Sequence, residues 1–283
     1  MVAKLSHPKL RSFWLLRWLS RLFLVIMIVY IVLPVAVTLV SSFSAARQLR
    51  FPISEWSLVW YGEFFLDSQW TRALFNSFVI ALGTSLISTV SGVAAAFALT
   101  RQRLPFSNTL YILILLPLFM PGVVLGLGMA ISFNHLSIGG YDLYGSRLLV
   151  MMAHSLWATP LVFLLMETIF KMIDRRLIEA AYDLGATPVR TFFEIVVPAV
   201  ATGLISSTLL AFVVSLNEFI MALFLTDRDS QTLPVLMWLS LRSATSPKLA
   251  VAAVVLSLSV LCCLTLIMFW YMHQVNRAGR AKL

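Results

Sequence analysis

The sequence predicts an all-α polytopic membrane protein with six transmembrane helices, and three observations carry that prediction. Hydrophobic residues make up 60% of the 283-residue chain and charged ones only 12%, more apolar surface than a soluble core of this size can hide. Several apolar runs approach or exceed the roughly 20 residues that a helix needs to cross about 30 Å of hydrocarbon. The alternating polarity of a membrane barrel is missing, so helices do the spanning.

Taken in chain order, the first span runs over 22–43. Lys4, Lys9, Arg11, Arg17 and Arg21 precede it, and Ser44-Ala45-Ala46 resembles a weak signal-peptide cleavage site; the length of the apolar run favours an uncleaved span. Trp56, Trp60, Phe64 and Phe65 then fall close to helical spacing ahead of Trp70, which predicts a helix lying in the membrane interface. The second span covers 73–99, with Asn76-Ser77 at its head. The third, 108–133, holds Pro117, Pro121, Gly122, Gly126 and Gly128, a composition that predicts bending and close helix contact.

The fourth span covers 148–170. Glu167 and Lys171 stand one turn apart near its end, in the favourable acid-then-base order, and predict a structural ion pair. His154 lies in the same span, followed by Ser155, Trp157 and Pro160, which predicts a kink. Neither His154 nor His135 has a ligand set at metal spacing, so no metal site is expected. The fifth span covers 199–225 and the sixth 249–272. Cys262 and Cys263 are adjacent in the sixth, where helical neighbours point apart and cannot readily bridge, so they read as packing residues.

The chain thus divides into a cytoplasmic segment (1–21), the first transmembrane helix (22–43), an extracytoplasmic loop with an interfacial helix (44–72), a transmembrane core (73–272) that includes a cytoplasmic loop at 171–198, and a cytoplasmic tail (273–283). The net charge of +9 does not point to nucleic acid, because the basic residues sit beside the ends of the apolar runs, where lipid headgroups and topology explain them. With both termini cytoplasmic, the inner segments carry fourteen Lys and Arg against seven outside. That excess favours this orientation.

The 171–198 loop carries the most information. Asp174 suits the cap of a short helix, and Gly185 sits where a left-handed residue ends one. Thr187 is a suitable second cap and Pro188 suits the first helical position, so the expectation is helix, tight turn, helix. In the first helix Leu177, Ala181 and Leu184 share a face. Ala180 and Ala181 leave room for another protein to approach, and Glu179 and Asp183 offer carboxylates to a basic partner.

Glu179-Ala180-Ala181, three residues, Gly185, nine residues, Ile195, one residue and then Val197-Pro198 resembles the EAA loop of type I ABC import permeases. Val197 stands where Leu is usual, a mild departure that keeps the side chain apolar. Asn76-Ser77 and Pro121-Gly122-Val123-Val124-Leu125-Gly126 also match that family, and Thr232-Leu233-Pro234-Val235-Leu236-Met237-Trp238 with Ser246-Pro247 resembles its subgroup of spermidine and putrescine permeases.

The resemblance implies a MetI-like fold in the bacterial inner membrane and a loop whose first helix docks on an ATP-binding subunit. Glu179, Ala180, Ala181, Asp183 and Gly185 are the docking residues. It further implies two ATPase subunits, a second permease and an extracytoplasmic solute-binding protein as partners, with ATP and Mg on the ATPases and no cofactor on this chain. No phosphate-binding loop or catalytic constellation is present in the sequence, so the chain is not expected to be an enzyme.

Glu218 is the acidic residue deepest in a predicted span, where an unpartnered charge is costly. Two readings stand side by side. Asn217 and Glu218 line the outer part of a path for a polyamine or similar amino-bearing solute, or Glu218 pairs with a basic residue and orders the bundle. Polyamine-type relatives carry paired acids near this position where this chain has Asn then Glu, which leaves room for another small solute such as an opine or an aminophosphonate. An ion-gradient transporter would call for inverted repeats and several intramembrane ionisable residues, which are not apparent.

Overall fold

The computed structural model describes residues 8–101, 104–243 and 246–280. Lys4 of the basic leader, Arg103 and the last three residues of the tail lie outside them. Helix α1 (Pro8–Ser41) contains the first apolar run, and every described side chain from Leu16 to Val35 is exposed. It meets the rest of the chain near its C-terminal end, against α13 (Lys248–Arg280). Such a helix, apolar all round and uncovered, is suited to lipid or to another membrane chain.

Helix α2 (Val59–Leu66) is the helix expected from the aromatic cluster, but it is shorter and only partly superficial. Trp56 precedes it in an isolated bridge to Ser44. Phe65 is exposed, whereas Phe64 is fully buried against Trp70, Leu233, Leu236 and Leu249. The periodicity reports a helix. It does not say which ring goes inward.

Three helices make the core: α3 (Ser68–Arg101), α6 (Arg147–Met172) and α10 (Ala201–Asn217) pack against one another along their length. The buried face of α3 runs through Ala73, Ser77, Ile80, Thr84, Ser88, Gly92 and Ala96, a helical stripe of mostly small residues. Small residues let backbones approach where lipid removes most of the hydrophobic drive for helix association. At the other end of this core Val162, Phe163, Met166 and Phe170 meet Ala96, Val196, Val200 and Ala211. Helix α6 is capped by Ser146, whose hydroxyl accepts the Leu149 N–H at 3.2 Å, and it continues unbroken through Pro160.

The third and fifth spans are not single straight helices. Helix α4 (Ser107–Phe119) and α5 (Gly122–Phe133) meet at 101° across Met120 and Pro121. Pro121 removes a backbone donor and Met120 is extended, which ends one helix and opens the next. The predicted continuous fifth span, 199–225, is corrected: α10 ends at Asn217 and a six-residue helix, α11 (Ile220–Leu225), follows after Glu218 and Phe219. Among the described residues, four helices and two bent pairs, Ser107–Phe119 with Gly122–Phe133 and Pro188–Ala199 with Ala201–Asn217, are long and apolar enough to cross a membrane, six spans if each pair counts once.

The predicted close contacts of span three hold at two of its glycines. A Cβ on Gly126 would lie 3.0 Å from the Met221 Cα, and one on Gly122 3.0 Å from the Trp157 ring. Gly128 has nothing within 4 Å, so its smallness serves no contact within this chain. Outside the 171–198 loop the described residues also form a two-residue antiparallel ladder, Ser137–Ile138 with Tyr141–Asp142, and helix α12 (Leu233–Ser243).

Candidate functional site: a capped loop and a broken span

The 171–198 loop forms the expected pair of helices. Helix α7 (Arg175–Asp183) starts where the Asp174 carboxylate accepts the Arg176 N–H at 3.0 Å. Gly185 follows with φ of +83°, a left-handed conformation that glycine adopts without a Cβ penalty. The Ala186 N–H then reaches back to the Ala181 carbonyl at 3.0 Å, satisfying a group that the helix end leaves open. Thr187 caps α8 (Pro188–Thr191) by accepting the Arg190 N–H at 3.3 Å, and Pro188 is its first residue. A π-turn over Phe192–Val196 and α9 (Val197–Ala199) carry the chain to Val200, where it bends 78° into α10.

Spacing puts Leu177, Ala181 and Leu184 on one side of α7, and burial divides them. Leu177 and Leu184 are exposed, Ala181 is buried, and Ile178 packs onto the core formed by α3, α6 and the π-turn. Glu179, Ala180 and Asp183 point outward with Leu177 and Tyr182, and Gly185 and Leu184 are exposed at the turn. Helix α7 is thus seated on one side by Ala181 and offers acidic and apolar groups on the other. Beside it, Glu167 and Lys171 form the expected ion pair at 2.7 Å.

The second region lies at the break in span five. Breaking a helix frees backbone N–H groups that lipid cannot satisfy. Glu218, 6% exposed, satisfies them: Oε1 accepts the Ile220 N–H at 3.1 Å and Oε2 accepts the Met221 N–H at 3.0 Å. Its Oε2 also stands 3.6 Å from His154 Nε2 on α6, and His154 Nδ1 is 2.8 Å from the Ser215 hydroxyl. Three elements are tied at one buried polar cluster. No sequence spacing links residue 154 to 215 and 218; a lone histidine and a lone carboxylate in apolar runs are the only signal.

Asn217 has the opposite fate. It is exposed, with Nδ2 donating to the Val213 carbonyl at 2.8 Å. It lines a cavity of about 480 Å3 with Phe219, Met237, Trp238 and, from α1, Thr38 and Ser41. The Phe219 and Trp238 rings stand 5.7 Å apart between centroids. Glu218 is not among the lining residues. The neighbouring pair Asn217-Glu218 is therefore split, one side chain to the cavity and one to the bundle.

Two motifs noted separately in the sequence meet beside it. Asn76 Nδ2 donates to the carbonyls of Asp229 (2.8 Å) and Gln231 (2.9 Å), and the Ser77 hydroxyl accepts the Leu233 N–H at 2.8 Å. The head of span two thus fixes the start of α12, whose Pro234, Met237 and Trp238 reach the cavity. A helix over 233–243 was not expected from the sequence, where the signal for it is Thr232 followed by Pro234, a helix-start pattern. Preceding it, Asp227 orders its own turn. Burial alone would raise its carboxyl, but the Ser230 N–H and hydroxyl and the Asp229 N–H donate to it and hold it below its ordinary value.

Bent spans around a three-helix core, with a helix pair projecting between the fourth and fifth spans, define a membrane subunit of the ABC importer type. The fold is that of two solved transporters. One is a bacterial alginate ABC transporter in complex with an alginate pentasaccharide-bound periplasmic protein (TM-score 0.72, 13% identity, 95% of this chain and 96% of that one). The other is the inward-facing MetNI methionine ABC transporter (TM-score 0.58, 17% identity, 76% of this chain and 96% of that one).

Residues 88–280 match the family of binding-protein-dependent transport system inner membrane components, and the chain belongs to that family as a type I ABC importer permease of the polyamine-type subgroup. It is 31% identical to the putrescine transport system permease protein PotI of Escherichia coli K12 over 252 residues, 88% of each chain. It is 25% identical to the spermidine/putrescine transport system permease protein PotC of Haemophilus influenzae over 249 residues, 86% of this chain and 93% of that one.

Proposed function

We propose that this permease carries a polyamine or a similar small amino-bearing solute inward, driven by two ATP-binding subunits that dock on α7. A second permease completes the path, and an extracytoplasmic binding protein delivers the solute. ATP and Mg act on the ATPase subunits, and this chain performs no catalysis. Both termini, the 1–21 and 273–283 segments and the 171–198 loop lie in the cytoplasm, with 44–72 outside.

The observation that carries the docking role is the two-sided seating of α7. Ile178 packs on the core and Ala181 is buried, while Glu179, Ala180 and Asp183 stand outward beside exposed Leu177. A helix fixed on one side and displaying two carboxylates and apolar surface on the other fits a partner's groove with basic groups. Gly185 supplies the turn that lets α8 to α9 carry motion on to α10. On the path, the cavity of Asn217, Phe219 and Trp238 supports amine recognition, because two aromatic faces suit a cationic or amino-bearing solute. Glu218 holds the break that presents Asn217.

The test is ATP hydrolysis by the chain assembled with its partners in lipid, with and without loaded binding protein. Glu179→Lys reverses a docking charge and Gly185→Asp strains a left-handed turn. Each is expected to lower binding-protein-stimulated hydrolysis about tenfold or more while insertion into the membrane is unchanged. Full coupling in both variants overturns the docking role. Uptake by this chain alone on an ion gradient overturns the importer reading.

A further inference from the structure

We infer that the cleft between the ends of α3 and α6 and the first turn of α7 binds the phosphate of an anionic membrane lipid. The cleft has a volume of about 310 Å3 and is lined by Leu99, Thr100, Arg101, Lys171, Ile173 and Arg175. Three of these six side chains are cationic, and they come from three different helices. The site rests on those positions alone and is independent of what the permease carries.

The charges are arranged against their own interest unless an anion joins them. Arg101 is anchored on one edge: its Nη2 donates to the carbonyls of Phe170 at 2.7 Å and Ile173 at 3.0 Å, the open end of α6. Its Nε is buried and has no partner. Arg175 repels it across the cleft. Arg175 and Arg176 also occupy the first turn of α7, where the helix dipole is positive and disfavours cations.

Of the three cations only Lys171 has an acidic partner, Glu167 at 2.7 Å, which also accepts from the Tyr111 hydroxyl at 3.4 Å. Among the described residues neither Arg101 nor Arg175 has a carboxylate within ion-pair distance. One phosphate in the cleft would accept from the Lys171 ammonium and the Arg175 guanidinium, with the Arg101 guanidinium anchored at its edge.

The surroundings select a lipid over a free ion. Arg101 and Lys171 stand at the ends of two helices long and apolar enough to span a membrane, where lipid headgroups would meet them, and Leu99 and Ile173 supply an apolar rim on which a glyceryl and acyl stem can lie. A headgroup bound there would bridge spans two and four to the base of α7. Its charge would set how firmly α7 is held.

The experiment uses the full chain, released from nanodiscs of mixed phosphatidylglycerol and phosphatidylcholine and read by native mass spectrometry. Phosphatidylglycerol is expected to be retained in preference to phosphatidylcholine. Arg175→Gln is expected to lower that retention roughly fivefold, and Arg175→Gln with Lys171→Gln by more, each basic group near the surface contributing about a factor of this size. Arg101→Gln also uncaps α6 and can fail to fold, so the exposed Arg175 and Lys171 carry the test. Arg190→Gln makes the same charge change elsewhere in the loop, at a residue paired with Glu194, and is expected to leave retention unchanged. Equal retention of the two lipids, or equal losses in the Arg175 and Arg190 variants, overturns the site. Displacement of the lipid by millimolar inorganic phosphate would assign the cleft to a free anion and overturn the lipid assignment.

Discussion

The α7–α8 loop and the α10–α11 break solve the same problem, helix ends with open backbone groups, by different means. In the loop each cap comes from a residue two or three positions away: Asp174 for Arg176, Thr187 for Arg190. At the break Glu218 also caps locally, but it does so buried beside other elements, 3.6 Å from His154 of α6, whose other ring nitrogen meets Ser215 of α10. The loop is a local design on the surface, where water forgives an imperfect cap. The break is a non-local design within a spanning segment, where nothing replaces a lost acceptor. The difference predicts how far damage spreads in each.

The largest effect is expected at the break. Glu218→Ala strands two buried N–H groups and is expected to cost about 2–4 kcal/mol, seen as a lower unfolding midpoint of the lipid-reconstituted chain. Glu218→Gln keeps an acceptor oxygen and should lose less than half of that. An alanine variant as stable as the parent would show that the break is held by packing and that the comparison is wrong.

Next in size is the contact that the break makes possible. Helix α11 lies against α5 because Gly126 admits the Met221 backbone. Gly126→Ala is expected to destabilise by about 1–3 kcal/mol through overpacking. Gly128→Ala, two residues on, meets nothing and should be neutral or stabilising, since alanine favours a helix over glycine by about 1 kcal/mol. Equal responses at the two positions would deny the α5–α11 contact its role.

In the loop the expected effect is smaller and stays local. Asp174→Ala removes an exposed cap worth about 1 kcal/mol. Amide exchange over 174–183 should quicken while the global unfolding midpoint hardly moves. A large global shift would mean that α7 is part of the core's cooperative unit.

This contrast also explains what the sequence could reveal. Asp174, Gly185, Thr187 and Pro188 were readable because a cap acts over two or three residues and its residue types are few. Glu167 and Lys171 were readable for the same reason. Spacing puts Leu177, Ala181 and Leu184 on one side of α7 but does not say which of them the chain covers: Ala181 is buried and the two larger groups are exposed. The break in span five was invisible: Val213 to Leu225 is apolar apart from Ser215, Asn217 and Glu218, and only the fold brings His154 to them. Asn76-Ser77 and Thr232-Leu233-Pro234 were each visible as motifs. The Leu233-to-Ser77 hydrogen bond that joins them, and those from Asn76 to the turn just before Thr232, were not.

The turn at Asp227 stands between the two designs, a local cap that serves a non-local contact, and gives the smallest effect. Its carboxylate holds the Ser230 and Asp229 donors, and the same segment is pinned by Asn76. A carboxyl held below its ordinary value stabilises the fold above the unfolded value, near 4. That contribution is lost as pH falls through the unfolded value and on through the lowered folded one. Because Asp227 is exposed, solvent screens much of it. Asp227→Asn keeps an acceptor without the charge, so the difference in unfolding midpoint between parent and variant should be present at pH 7 and shrink towards zero near pH 3. A difference that stays constant over that range would locate the role of Asp227 in its shape and not its charge.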